Sequence, residues 1–192
     1  WKDQIFSKKI LNNKLPNEQV YIYFARANIL HNEKKYHESS KYIQLGNNIK
    51  LDLYPSNADT FIKKSNILLL ESQRREIYKK EQKSSAKNIF IVGMFRSGST
   101  LLESILSMSN NVYDLGEINI LEESFVECKK CKKEVSLAEL YFKKVNNKTE
   151  FNITTNKWLY NYQYAGIIAM YIPNAKIIHC YRNPLDNILS IY

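Results

Sequence analysis

The chain has 192 residues, 44% of them hydrophobic, and a net charge of +9, enough for one sizeable core or for a small domain plus part of another. No apolar run is long enough to cross a bilayer, so the composition reads as globular with no membrane segment in this stretch. The charge is uneven, with 17 basic against nine acidic side chains in residues 1–87 and 11 against ten in 88–192. We read the excess as solvated faces of lysine-rich helices rather than a nucleic-acid surface, since no reader motif accompanies it.

The chain begins at Trp1 without a methionine or a signal-peptide pattern and ends at Tyr192 inside an apolar helical pattern, as a fragment would. Residues 1–87 carry no strand signal. Glu18–His31 places Val20, Ile22, Tyr23, Phe24, Ala27, Ile29 and Leu30 on a broad apolar face, and Tyr36–Ile49 does the same with Tyr36, Ser40, Ile43 and Gly46. With the polar break Asn32–Lys35 between them, this spacing predicts two antiparallel helices approaching at Ala27, Ser39 and Gly46. Residues 20–53 resemble one degenerate tetratricopeptide repeat, with Tyr36 at a typical aromatic position and Pro55 after the second helix. Any helical hairpin shares the pattern. A single repeat cannot bury its own face, so the region is expected to extend before Trp1. Asn57–Lys80 predicts another helix with Arg74, Arg75, Lys79 and Lys80 toward its end, and Glu81–Lys87 has linker composition. The expected division is therefore 1–87 and 88–192.

Asn88–Met108, NIFIVGMFRSGSTLLESILSM, organises the rest. Ile89–Val92 is a short run of β-formers, the mark of a strand covered on both faces. From Thr100 the apolar residues Leu101, Leu102, Ile105, Leu106 and Met108 follow a helical period, with Ser99 or Thr100 as N-cap. The Gly93–Ser99 loop is thus lodged between strand end and helix start, where backbone N–H groups and the helix dipole converge on an anion. Gly93 and Gly98 keep the spacing of the phosphate-loop pattern, but Ser99 stands where its lysine belongs and Arg96 is the loop's cation. That suits an anion without a γ-phosphate better than a nucleoside triphosphate with Mg²⁺. Arg96, Ser97, Ser99 and Thr100 offer a charged fork plus hydroxyls. Taken alone, the loop is equally a tight βα turn with hydroxyls capping the helix.

Farther on, Asn110–Leu115 predicts a short strand, Gly116–Cys128 a turn and helix, Val135–Val145 a helix and Phe151–Thr155 a strand. Tyr160–Tyr171 predicts a helix ended by Pro173. Ala175–Tyr181 predicts a second buried strand, followed by Arg182-Asn183-Pro184 and a helix. The alternation argues for an α/β fold, a parallel sheet flanked by helices, and its ligands belong at the strands' carboxyl ends. Arg96 and Arg182 each follow a strand directly, and Ser190 lies two turns into the helix after Arg182. Cys128 and Cys131 form a C-x-x-C in ECKKCKKE, but the third cysteine, Cys180, and the three histidines are scattered. Two thiols in a lysine-rich surface segment is the better reading than half a zinc site or a redox pair.

IVGMFRSGSTLLESILS resembles the 5′-phosphosulfate loop of the sulfotransferases, and AKIIHCYRNPLDNILSIY resembles their 3′-phosphate motif. The likeness is closest to bacterial-type sulfotransferases with N-terminal tetratricopeptide repeats and to tyrosylprotein sulfotransferase. It implies a P-loop-type sheet and the donor 3′-phosphoadenosine 5′-phosphosulfate, PAPS, with 3′-phosphoadenosine 5′-phosphate as product and no metal. It implies Arg96, Ser97, Gly98, Ser99 and Thr100 on the 5′-phosphosulfate, Arg182 and Ser190 on the 3′-phosphate, Glu117 as general base and Lys157 on the transferring group. From the residues alone, Glu117 reads as a surface or cap residue and Lys157 as a solvated one. Phe95 and Trp158 stand where the family usually has proline, and Ser99 where it has threonine.

The expected function is transfer of a sulfuryl group from PAPS to an acceptor hydroxyl or amine on a small molecule, glycan or peptide. A protein partner on the helical repeats is also expected, without nucleic acid or membrane in this stretch, in the cytoplasm given low cysteine usage. The alternative is a non-catalytic interaction protein with a degraded nucleotide-binding domain. A kinase-like reading needs the lysine that Ser99 displaces.

Overall fold

The computed structural model describes residues 1–73, 87–130 and 135–191. Contacts divide the chain into two compact units, Trp1–Thr60 and Phe61–Tyr192.

The first unit comprises α1 (Lys2–Phe6), a 3₁₀ turn (Lys8–Leu11), α2 (Pro16–Asn32) and α3 (Tyr36–Leu53). Pro16 opens α2 where its missing N–H costs nothing, and the Glu18 carboxylate accepts the Leu15 N–H at 2.9 Å. Helices α2 and α3 approach at the three small residues: the buried Ser39 hydroxyl donates to the Ala27 carbonyl at 2.8 Å. A Cβ on Gly46 would sit 2.8 Å from the Phe24 ring, so only glycine allows this spacing. Arg26, buried, fastens the N-terminal segment to α2. Its Nε donates to the Ile5 carbonyl at 2.7 Å and Nη2 to that of Ser7 at 3.0 Å. The rings of Phe6, Tyr23 and Tyr42 lie within 5.8 Å of its guanidinium.

Helix α4 (Ala58–Gln73) packs almost entirely with the second unit, where Leu68 joins the core. The contacts thus divide the chain well before residue 87. Residues 81–86 of the expected linker, and Arg74 to Lys80, lie outside the described residues.

The second unit continues with β1 (Lys87–Gly93), α5 (Ser99–Ser107), β2 (Val112–Asp114), α6 (Ile120–Lys130), α7 (Leu137–Asn146), β3 (Ile153–Asn156), α8 (Ala165–Tyr171), β4 (Ala175–Cys180) and α9 (Pro184–Ile191). The four strands form one parallel sheet in the order β2-β3-β1-β4. In β1 the successive residues Phe90 and Ile91 point to opposite faces and are both fully buried, so this central strand is covered on both sides. Phe90, Leu121, Tyr141, Tyr164, Ile167 and Ile168 make the main core on one face.

Three expectations are corrected. Strand β4 is not buried: it pairs with β1 alone among the described residues, and Lys176, Ile177 and His179 are exposed. The segment expected as one helix from Tyr160 is a 3₁₀ turn (Leu159–Tyr164) before α8. The turn is pinned because Asn161 Nδ2 donates to Asn156 Oδ1 at 2.9 Å and Gln163 Nε2 to Ser65 Oγ at 2.9 Å. Finally, neither Ser99 nor Thr100 caps α5; Gly98 holds the N-cap position with φ +91, and no side chain bonds there.

Candidate functional site

Each strand of the parallel sheet leads, at its carboxyl end, into one of the expected site residues. Arg96 follows β1, Glu117 follows β2, Lys157 follows β3 and Arg182 follows β4, all within three residues of the strand end. This is the edge where parallel α/β sheets bind ligands. Phe95, Arg96, Ser99, Thr100, Glu117 and Arg182 line one open cavity of about 340 Å³ there.

Gly93 makes the first turn possible. A Cβ on it would lie 2.4 Å from the Cys180 carbonyl oxygen of β4, and its φ of +148 lies outside the range other residues favour. Arg96 itself has φ +66, a conformation that costs a non-glycine residue roughly 1–2 kcal/mol. The β4–α9 segment holds it there: Arg96 Nε donates to Ser190 Oγ at 2.8 Å, and Arg182 Nη1 makes a long contact, 3.5 Å, with the Arg96 carbonyl. Arg182 also lies 3.7 Å from Asp186. Ser190 is therefore tied to the cation of the first loop, not to Arg182. The Ser97 hydroxyl is buried and has no hydrogen-bond partner among the described residues. An unpaired buried hydroxyl in a glycine loop at a helix start fits an oxyanion ligand.

On the other half of the site the turns after β2 and β3 are stitched together. Leu115 N–H donates to the Thr155 carbonyl and Lys157 N–H to that of Gly116, each at 2.9 Å. Asn156 locks the second turn, accepting from Trp158 N–H at 3.1 Å and donating to the Ile118 carbonyl at 3.2 Å. Lys157 is 5% exposed, so the reading of it as a solvated lysine is overturned. Its ammonium bonds Glu117 Oε1 at 2.5 Å and lies 4.0 Å from Glu103 Oε2.

Glu103, on α5, escaped the sequence reading. It is 6% exposed, whereas Leu101 and Ile105 of the same helix, and Met108 just past its end, face outward. Burial pushes its carboxyl above the usual range, while the Thr155 hydroxyl, donating at 2.9 Å, and the Lys157 ammonium pull the other way. The apolar spacing of α5 gave no sign of it.

Cys128 donates through Sγ to the Val135 carbonyl at 3.5 Å, and Cys131 lies outside the described residues. Among the described residues no group of three or more His, Cys, Asp or Glu could hold a metal ion, and no helix is long and apolar enough to cross a membrane.

The sulfotransferase domain family matches residues 86–192. The chain belongs to that family. It is also 33% identical over 129 residues to a protein of Aquifex aeolicus (strain VF5) described as uncharacterized, an alignment covering 56% of this chain and 17% of that protein. The chain thus spans less than a fifth of that relative's length. No solved structure matches it.

Proposed function

We propose that the site transfers a sulfuryl group from PAPS to an acceptor hydroxyl or amine. The observation that carries this reading is the row of Arg96, Glu117, Lys157 and Arg182 at the ends of four parallel strands, three of them lining one cavity. Bound PAPS would supply an activated sulfuryl group whose sulfur–oxygen bond to phosphate breaks as the acceptor atom bonds to sulfur.

This chain's residues supply the rest. Arg96, Ser97, Ser99, Thr100 and the loop amides around Gly98 hold the phosphosulfate, while Arg182 holds the 3′-phosphate with Ser190, whose hydroxyl donates to it while accepting from Arg96. Lys157 offers a cation to the charge that develops, as loose in-line transfers require. Glu117, its side chain 55% exposed, takes the acceptor's proton, for which it must exchange its bond to Lys157 for one to the acceptor.

Calorimetric titration of wild type and Arg182→Ala with 3′-phosphoadenosine 5′-phosphate, and with ATP plus Mg²⁺, tests the reading. Binding of the bisphosphate that the variant loses, with little ATP binding, is the expected result. A folded wild type that ignores the bisphosphate would refute it and favour an interaction protein.

A further inference from the structure

We infer that Glu103 is the positioning residue of the site: it holds the Lys157 ammonium at the donor pocket while Glu117 turns to the acceptor. The inference rests on the proposed sulfuryl transfer and concerns a residue outside the row of strand ends. A buried ammonium needs a carboxylate or equivalent partner to stay charged at low cost. Lys157 has two, and they differ. Glu117 reaches it from an exposed turn, whereas Glu103 reaches it from inside, on the helix that the donor loop opens.

Two features fit Glu103 to this task. Thr155, fully buried, donates to Glu103 Oε1, which leaves Oε2 turned toward the ammonium. Thr155 lies on β3 two residues before Lys157, which directly follows that strand, so one stretch of backbone fixes both ends of the arrangement. A buried position is costly for a carboxylate, and such a cost is characteristic of groups kept for a site. When Glu117 leaves Lys157 to take a proton, Glu103 is the carboxylate that stays.

The test compares affinities for PAPS and for 3′-phosphoadenosine 5′-phosphate, which lacks the sulfuryl group, and needs no acceptor. If Lys157 is held at the sulfuryl end, its contribution appears only with PAPS. Lys157→Met and Glu103→Gln are both expected to cut the preference for PAPS over the bisphosphate by about tenfold, leaving bisphosphate affinity within about twofold of wild type. Glu103→Asp should restore part of the preference. An unchanged preference in Glu103→Gln, or an equal loss of both ligands, overturns the inference while the donor reading stands. No bisphosphate binding by wild type overturns both. Should Glu103→Gln fail to fold, Thr155→Val, which frees the carboxylate but keeps its charge, must still lower the preference, and an unchanged value refutes the inference.

Discussion

Arg96 and Ser190 stand 94 positions apart in the chain, yet the guanidinium Nε donates to the serine Oγ at 2.8 Å. Helix α9 therefore holds the cation of the glycine loop in place, and does so for a residue already in a disfavoured left-handed conformation. Replacing Ser190 by Ala leaves Arg96 to find its own position. The expected loss is about fivefold in affinity for 3′-phosphoadenosine 5′-phosphate by calorimetry, the value of one hydrogen bond.

Glu117→Gln keeps the shape of the side chain and removes its capacity to take a proton. Sulfuryl transfer should fall by about 10²–10⁴-fold, the usual contribution of a positioned base. Bisphosphate affinity should stay near wild type, so initial rates and calorimetry on one preparation separate the effects.

The two loop glycines differ in what surrounds them. At Gly93 a methyl group meets the Cys180 carbonyl at 2.4 Å, and both are backbone of paired strands, whereas at Gly98 it meets open space. Gly93→Ala should cost about 3 kcal/mol of stability, as strained and clashing backbone positions do. Gly98→Ala, where only φ +91 is at issue, should cost about 1 kcal/mol. Urea midpoints measure both.

Burial raises the Glu103 carboxyl above its ordinary 4.5. In the window from that value up to the raised one, the folded chain binds more protons here than the unfolded chain. Glu103's contribution to stability is thus full below the window and is lost as pH rises through it. Urea midpoints against pH should decline across the window less in Glu103→Gln than in wild type. An identical pH dependence would contradict the burial.

Arg26 joins the N-terminal segment to α2 through two carbonyls and three rings. Arg26→Ala removes about 2 kcal/mol of local attachment. Tryptic cleavage after Lys8 and Lys9 should accelerate by roughly thirtyfold, with α2 and α3 still protected, since cleavage follows local opening.

The strand ends were legible because apolar runs followed by a cation or glycine announce them, as at Ile89–Val92 before Arg96 and at Ile177–Ile178 before Arg182. The helix approach at Ser39 and Gly46 was legible too, since small residues at one period leave room for a second backbone. What stayed hidden depends on the sheet order. Glu103 and Thr155 lie 52 positions apart, and only the placement of β3 beside β1 brings them together. Lys157 looked solvated because nothing in NKWLY reveals two carboxylates around it. The exposure of β4 was hidden for the same reason: apolar composition speaks for burial, and whether a strand lies at the edge is decided by its neighbours.

The order β2-β3-β1-β4 has a consequence for biosynthesis. Among the four described strands, β1 emerges first but sits in the interior of the sheet, and one of its neighbours, β4, emerges after the other three. A nascent chain that has reached β3 carries the glycine loop, Glu117 and Lys157, yet lacks Arg182 and Ser190, the two groups that steady Arg96. Arg96 is therefore steadied only once β4 and the helix after it have docked beside β1.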